Sequence, residues 1–176
     1  LGGPQAGFIA GKPDAVGLVR DNPLHRALRL GKASFLAIEA TLIEYLAGRL
    51  DAIPTLAMLR REPEQLLVRA KSLAMSLNAI DGVSAEVLAL ESRVGGGAAP
   101  EIALESWGAA VATSLAPDQL AHRLRCAEPA LVGRLVKDRL VIDTRALIEG
   151  DEERINAAMR QALGVELAGC DDESAG

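Results

Sequence analysis

The chain has 176 residues, 49% of them hydrophobic and only 2% aromatic, and a net charge of -5. The hydrophobic share excludes a wholly disordered chain and predicts an aliphatic core. The acidic balance argues against a large phosphate-binding surface, and the scarcity of aromatic rings leaves few sites for stacking the bases of single-stranded nucleic acid. No apolar run is long enough to span a membrane, so we expect no membrane partner.

The first third of the chain predicts a strand and two helices. Residues Gly7 to Ala10 are apolar and bracketed by glycines, which is typical of a buried strand. Pro13 then predicts the start of a short helix that ends near Arg20. After a connector that contains proline, "ASFLAIEATLIEYLAGRL" has the apolar spacing of a long helix that ends near Gly48.

From about residue 55 the pattern becomes α-α-β-β-α-β-β-α. Pro54 and Pro63 predict the starts of two helices, and "SAEVLALES" and "WGAAVAT" predict strands. "APDQLAHRLRCA" predicts a helix, "ALVGRLVKDRLVIDT" a hairpin that turns at Lys137-Asp138, and "EGDEERINAAMRQAL" a last helix. This order predicts a small α+β domain with helices on one face of a mostly antiparallel sheet.

Two short segments could carry chemistry. The Gly2-Gly3 pair either marks a tight turn or lets a ligand approach the backbone. In "NPLHRALRLGK", Arg26 and Arg29 are three residues apart, so in a helix they would lie on one face and could bind one anion with their guanidinium groups. The alternative is a solvated basic patch, with His25 in a structural role.

The rest of the sequence offers little else. The triple glycine in "SRVGGGAAP" lacks the Lys-Ser/Thr of a phosphate-binding loop and is either a connector or the rim of a site. His122 is expected on the surface. Cys126 and Cys170 have no histidine partners at metal-ligand spacing, so we expect neither a metal site nor a disulfide framework, and a cytoplasmic location.

Five stretches, in order and at matching spacing, resemble the C-terminal part of the bacterial L-seryl-tRNA(Sec) selenium transferases, over residues 1 to about 163. They are "LGGPQAGFIAGK", "NPLHRALRLGK", "AIEATLIEYL", "SRVGGGAAP" and "GRLVKDRLVIDTRAL". The resemblance implies an aspartate-aminotransferase-like enzyme of fold type I that depends on pyridoxal 5'-phosphate (PLP). It also implies an α/β fold whose small domain is α+β.

The resemblance also implies a division of the chain. Residues 1–32 would end the large PLP-binding domain, 33–54 would form the connecting helix, 55–165 the small domain and 166–176 a polar tail. In this family the lysine that holds PLP lies directly before the Leu-Gly-Gly-Pro-Gln stretch. We therefore expect it just upstream of Leu1, with no catalytic residue in this chain and no activity of the chain alone.

The implied reaction converts Ser-tRNA(Sec) to Sec-tRNA(Sec) with selenophosphate, through a dehydroalanyl-tRNA intermediate. Arg26 and Arg29 would bind the selenophosphate anion, and Gly2, Gly3, Pro4 and Gln5 would form the wall beside the cofactor. Arg145 matches a small-domain arginine and is expected to be mainly structural. The family further implies a homo-oligomer, and this piece alone is not expected to bind tRNA strongly.

Two positions depart from the family pattern: Ala98 replaces a typical serine, and the hairpin turns at Lys137-Asp138 rather than at an Asp-Gly type of pair. Two alternatives stay open. One is a related PLP-dependent lyase or transferase that acts on a small amino acid. The other is a module without catalytic activity that serves only in assembly.

Overall fold

The structure is a computed structural model that describes residues 2–94 and 103–164. It divides into two compact units, Leu1–Ala57 and Met58–Gly176. The triple glycine, Ala98, Cys170 and the predicted polar tail lie outside the described residues. The domain boundaries implied by the family resemblance therefore remain predictions, whereas the helices and strands can be compared directly with the sequence.

The first unit contains three α-helices: α1 (Pro13–Asp21), α2 (Pro23–Ala27) and α3 (Lys32–Leu46). Pro13 and Pro23 each occupy the first turn of their helix, where a proline costs no hydrogen bond. A 3-10 turn, Leu50–Ala52, follows α3. Helix α1 and the long helix α3 confirm the sequence predictions, and Gly48 adopts a positive φ of 69° just beyond α3.

The predicted buried strand at residues Gly7 to Ala10 is wrong. These residues form no strand, and Phe8 and Ile9 are 59% and 67% exposed. The apolar pattern indicates only that the segment is suited to burial, and the structure leaves it exposed. A strand, however, also needs a neighbour to accept its backbone hydrogen bonds, and no described strand lies in this unit.

The second unit follows the predicted order of elements. Its helices and strands are α4 (Pro54–Arg60, which begins in the first unit), α5 (Pro63–Asn78), β1 (Ser84–Arg93), β2 (Ala103–Ala112), α6 (Pro117–Arg125), β3 (Arg134–Val136), β4 (Arg139–Asp143) and α7 (Asp151–Leu163). Strand β2 begins four residues before the predicted "WGAAVAT", because "ALES" pairs with the end of β1.

The four strands form one antiparallel sheet in the order β1-β2-β4-β3. Alternate side chains of β1, β2 and β4 face helices α5, α6 and α7 and form the main core with them. The fully buried side chains of this core include Leu73, Leu77, Leu120, Leu124, Leu140 and Met159. The predicted α+β layer architecture is therefore confirmed for this unit.

The β3–β4 hairpin turns at the predicted place. Lys137 and Asp138 both have positive φ values, 48° and 56°. Two central residues with positive φ match the twist of the strands that they join, which is why such turns usually contain Asn and Gly. This chain instead places two residues with side chains in the left-handed region.

Among the described helices, none combines the length and the apolar character that a membrane crossing requires.

Candidate anion site and the arginines of the small unit

The junction of α1 and α2 carries the predicted arginine pair. Asn22 ends α1, and its side chain begins α2 by accepting a 3.0 Å hydrogen bond from the Leu24 N–H. Arg26 lies in the last turn of α2, and Arg29 lies just after that helix. The predicted pair therefore lies partly on a five-residue helix rather than along one continuous helix.

The guanidinium groups of Arg26 and Arg29 are uncommitted. Both side chains are exposed, and neither forms a hydrogen bond or an ion pair with any described residue. His25, next to them on α2, is also exposed. All the N–H donors of both guanidinium groups are therefore available to an external anion.

The glycine loop at the start of the chain has a specific backbone. Gly2 has a φ of 80°, and a Cβ atom at this position would lie 2.7 Å from Cγ2 of Ile53. A Cβ atom on Gly3 would collide with the Thr41 side chain on α3. Both positions require glycine on steric grounds, which agrees with the tight-turn interpretation. Gly2 to Gln5 are all exposed.

Arg145 behaves in the opposite way to Arg26 and Arg29. It is only 7% exposed, and its guanidinium donates to the carbonyls of Met58 (2.9 Å), Arg61 (3.1 Å) and Glu105 (2.5 Å). Its Nε atom is buried and bonds to no described residue. The bonds to Met58 and Arg61 cap the carboxyl end of α4, which confirms the mainly structural role predicted for Arg145.

Arg61 in turn donates hydrogen bonds to the backbone around Arg145. Its Nη1 atom donates to the carbonyl oxygens of Arg145 at 2.7 Å and Leu147 at 2.5 Å, at the end of the 3-10 turn Thr144–Ala146. Arg69 donates to the Leu147 carbonyl as well, at 2.9 Å. Burial, and then the charges of Arg69 and Arg145, lower the pKa of Arg61 below that of a free arginine, against the opposing effect of Asp151.

A cleft of about 460 Å³ lies beside these arginines in the second unit. It is lined by Arg60, Arg61, Glu62, Glu105 and Arg145, among others. Because the buried guanidinium groups donate to backbone carbonyls and two carboxylates line the same wall, the cleft is a poor anion site.

Sequence reasoning missed a polar network on the sheet face opposite the main core. The carboxylate of Asp143 accepts hydrogen bonds from Ser92 Oγ (2.5 Å), Ser106 Oγ (2.6 Å) and the Arg145 N–H (3.1 Å). Arg134 lies 3.5 Å from the same carboxylate. Small polar residues within otherwise apolar strands were the signal that could have revealed it. Each member is satisfied, so the network stabilises the sheet.

The remaining candidates have no site geometry. All four lysines of the chain, Lys12, Lys32, Lys71 and Lys137, are exposed. Cys126 is a free, exposed thiol at the end of α6, 4.0 Å from Nε2 of the exposed His122. Among the described residues, no three His, Cys, Asp or Glu side chains are placed to hold a metal ion.

The chain matches known proteins along most of its length. The family profile of L-seryl-tRNA selenium transferase matches residues 1–148. A relative from Aquifex aeolicus, named L-seryl-tRNA(Sec) selenium transferase, is 35% identical over 94% of this chain. Relatives of the same name from Nitratidesulfovibrio vulgaris and Caldanaerobacter subterraneus are 41% and 39% identical, again over 94% of this chain.

The match covers only part of these relatives, because the chain spans 36% to 37% of their length. The range that the family profile matches nevertheless includes residues of both compact units. The resemblance inferred from five short stretches is thereby confirmed, and the chain belongs to the L-seryl-tRNA selenium transferase family.

Proposed function

We propose that this chain is part of a PLP-dependent enzyme that converts Ser-tRNA(Sec) to Sec-tRNA(Sec) with selenophosphate as selenium donor. In this proposal Arg26 and Arg29 bind the donor's tetrahedral oxyanion. Two planar forks that converge on one compact anion combine charge with bidentate hydrogen bonds, which is the pattern that proteins use for phosphate groups.

The contrast among the arginines is the observation that carries the proposal. Arg61, Arg69 and Arg145 donate to backbone carbonyls, whereas Arg26 and Arg29 bond to no described residue. A family match alone would make every arginine of the chain a candidate. The hydrogen bonds exclude the bonded arginines, and among those that bond to no described residue Arg26 and Arg29 are the two that lie three residues apart on one exposed segment.

The residues present fit only one part of a PLP site. The exposed loop from Gly2 to Gln5 has the open backbone needed for a wall beside a flat cofactor. A lysine that holds PLP is usually desolvated, and none of the four exposed lysines meets that condition. This supports placing the lysine upstream of Leu1, as the resemblance implies.

In this proposal the chain's own residues bind and orient the selenium donor. PLP, when bound, acts as the electron sink that allows the serine hydroxyl to leave. Arg26 and Arg29 hold the selenium donor by its oxygens, so that its selenium can reach the serine carbon from which the hydroxyl has left. The fold type I architecture, cytoplasmic location and homo-oligomeric assembly belong to the same proposal, and the exposed apolar side chains of residues 2–57 support further packing partners.

The test uses the full gene product with PLP, Ser-tRNA(Sec) and selenophosphate. Replacing Arg26 or Arg29 with Ala removes a charged guanidinium group. We expect each single variant to lower kcat/KM for selenophosphate by about 10-fold to 100-fold. Arg20→Ala is the control, because Arg20 lies in the same unit but is paired with Asp21 at 3.1 Å.

The outcome distinguishes the alternatives. Normal turnover in a variant that carries both Arg26→Ala and Arg29→Ala would refute the anion site. Turnover of a free amino acid, with no activity on Ser-tRNA(Sec), would favour the related lyase or transferase. No turnover in the unaltered full gene product would favour an assembly module.

A further inference from the structure

Asn22 takes part in the ends of two helices at once. Its backbone N–H donates to the Val19 carbonyl at 3.3 Å and closes α1. Its side-chain Oδ1 accepts from the Leu24 N–H at 3.0 Å, and its own carbonyl accepts from the His25 N–H at 2.9 Å. One residue therefore sets the direction in which α2 leaves α1.

Helix α2 has few other supports. It is five residues long, and none of them is buried. A helix of this length is not stable through its own hydrogen bonds, because too few bonds form to offset the ordering of its first turn. Pro23 fixes one backbone angle at the start, and the Asn22 side chain satisfies one of the unpaired N–H groups.

Arg26 depends on this short helix for its position. It lies in the last turn of α2, four residues after the cap. If the first turn of α2 frays, the backbone no longer holds the Arg26 side chain in one place. Binding an anion must then also order that backbone, which weakens the binding.

We propose that Asn22 is a positioning residue whose side-chain cap holds Arg26 in place for the oxyanion of the selenium donor. The inference rests on the function proposed above and adds a residue to it. Asn22 does not contact the anion in this scheme. It acts by keeping α2 helical before the anion arrives.

The experiment compares Asn22→Ala, which removes the cap, with Asn22→Ser, which keeps an oxygen that can cap and adds no charge. In the full gene product, we expect Asn22→Ala to raise KM for selenophosphate about fivefold, the equivalent of one lost cap, with kcat unchanged. Inorganic phosphate, used as a competing anion, should bind more weakly by the same factor. Asn22→Ser should stay within about twofold of the unaltered protein.

A second pair of variants separates positioning from general stability. In an Arg26→Ala background, Asn22→Ala should have no further effect on KM or on phosphate binding, because the residue it positions is gone. If the two effects multiply instead, Asn22 does not act through Arg26 and the inference is overturned. It is likewise overturned if Asn22→Ala leaves KM unchanged while Arg26→Ala raises it, and in that case the anion site still stands. If Arg26→Ala itself has no effect, both proposals fail.

Discussion

The two compact units of this chain differ in how much of their apolar surface they bury. Of the 25 buried hydrophobic side chains among the described residues, only Ile38 and Ile53 belong to the first unit. That unit also exposes eleven large hydrophobic side chains, including Phe35, Leu36 and Leu46 on α3. The second unit has a continuous core between its sheet and three helices.

The difference shows that the two units obtain their stability in different ways. The second unit buries whole side chains in one cluster, the usual source of stability in a domain of its size. Helix α3 is apolar around much of its surface but has a single buried residue, Ile38. A helix of that composition normally lies inside a larger structure, so the first unit depends on contacts that no described residue provides.

Identical substitutions in the two units should therefore give very different results. Leu77→Ala, at a site with 0% exposure, should destabilise the second unit by about 3 kcal/mol through lost burial and a cavity. Leu46→Ala, at 89% exposure, should change the stability of this chain by less than about 0.5 kcal/mol. Urea unfolding of both variants measures the contrast, and equal losses would mean that α3 is packed within the chain.

Arg145 should matter to the second unit through its hydrogen bonds. Arg145→Lys keeps the charge but cannot reach the carbonyls of Met58, Arg61 and Glu105 together, so we expect a loss of about 2 kcal/mol. Arg26→Lys is the matched control in the first unit and should leave stability unchanged. Chemical unfolding followed by circular dichroism provides the measurement. A neutral Arg145→Lys would show that the capping bonds contribute little.

The hairpin turn offers a smaller change of the opposite sign. Asp138 has a φ of 56°, where a side chain is strained and glycine is not. Asp138→Gly should therefore stabilise the second unit by about 0.5 kcal/mol, after the extra flexibility of the unfolded chain is included. The midpoint of thermal unfolding should rise, and a fall would indicate that the Asp138 side chain has a stabilising role.

The smallest effect is expected at the end of α3. Two hydrogen bonds from Arg49, at 2.8 and 2.9 Å, hold the pKa of Glu44 below its ordinary value of 4.5. Because the pKa is lowered on folding, the stabilising contribution is complete above pH 4.5 and disappears as the pH falls through the lowered pKa. An NMR titration of Glu44 should show the lowered value, and Arg49→Ala should restore the ordinary one.

Much of the second unit could be predicted from sequence because its signals are local. Pro54, Pro63 and Pro117 stand at helix starts, and the apolar runs of β1 and β2 mark two strands of the sheet. The strand at Gly7 to Ala10 was mispredicted because an apolar run states only that a segment is suited to burial. Whether it becomes a strand depends on a neighbour that the run itself does not specify.

The candidate site was only partly predictable for a related reason. The spacing of Arg26 and Arg29 suggested a shared anion, but only the structure shows that neither bonds to a described residue. The roles of Asn22 and Asp143 were missed, because each role depends on where hydrogen bonds go in three dimensions. The sequence does not distinguish an asparagine that caps a helix from one that is simply exposed on the surface.

The reciprocal bonds between Arg61 and Arg145 restrict how the second unit can be recombined with its relatives. Each guanidinium caps the backbone segment that contains the other, so a parent with another residue at either position would leave carbonyls of the other segment uncapped. A chimera joined between β1 and β2 would separate them and combine caps and backbones that had not evolved together. A crossover just before Met58 keeps both together and is the better boundary for exchanging this unit between members of the family.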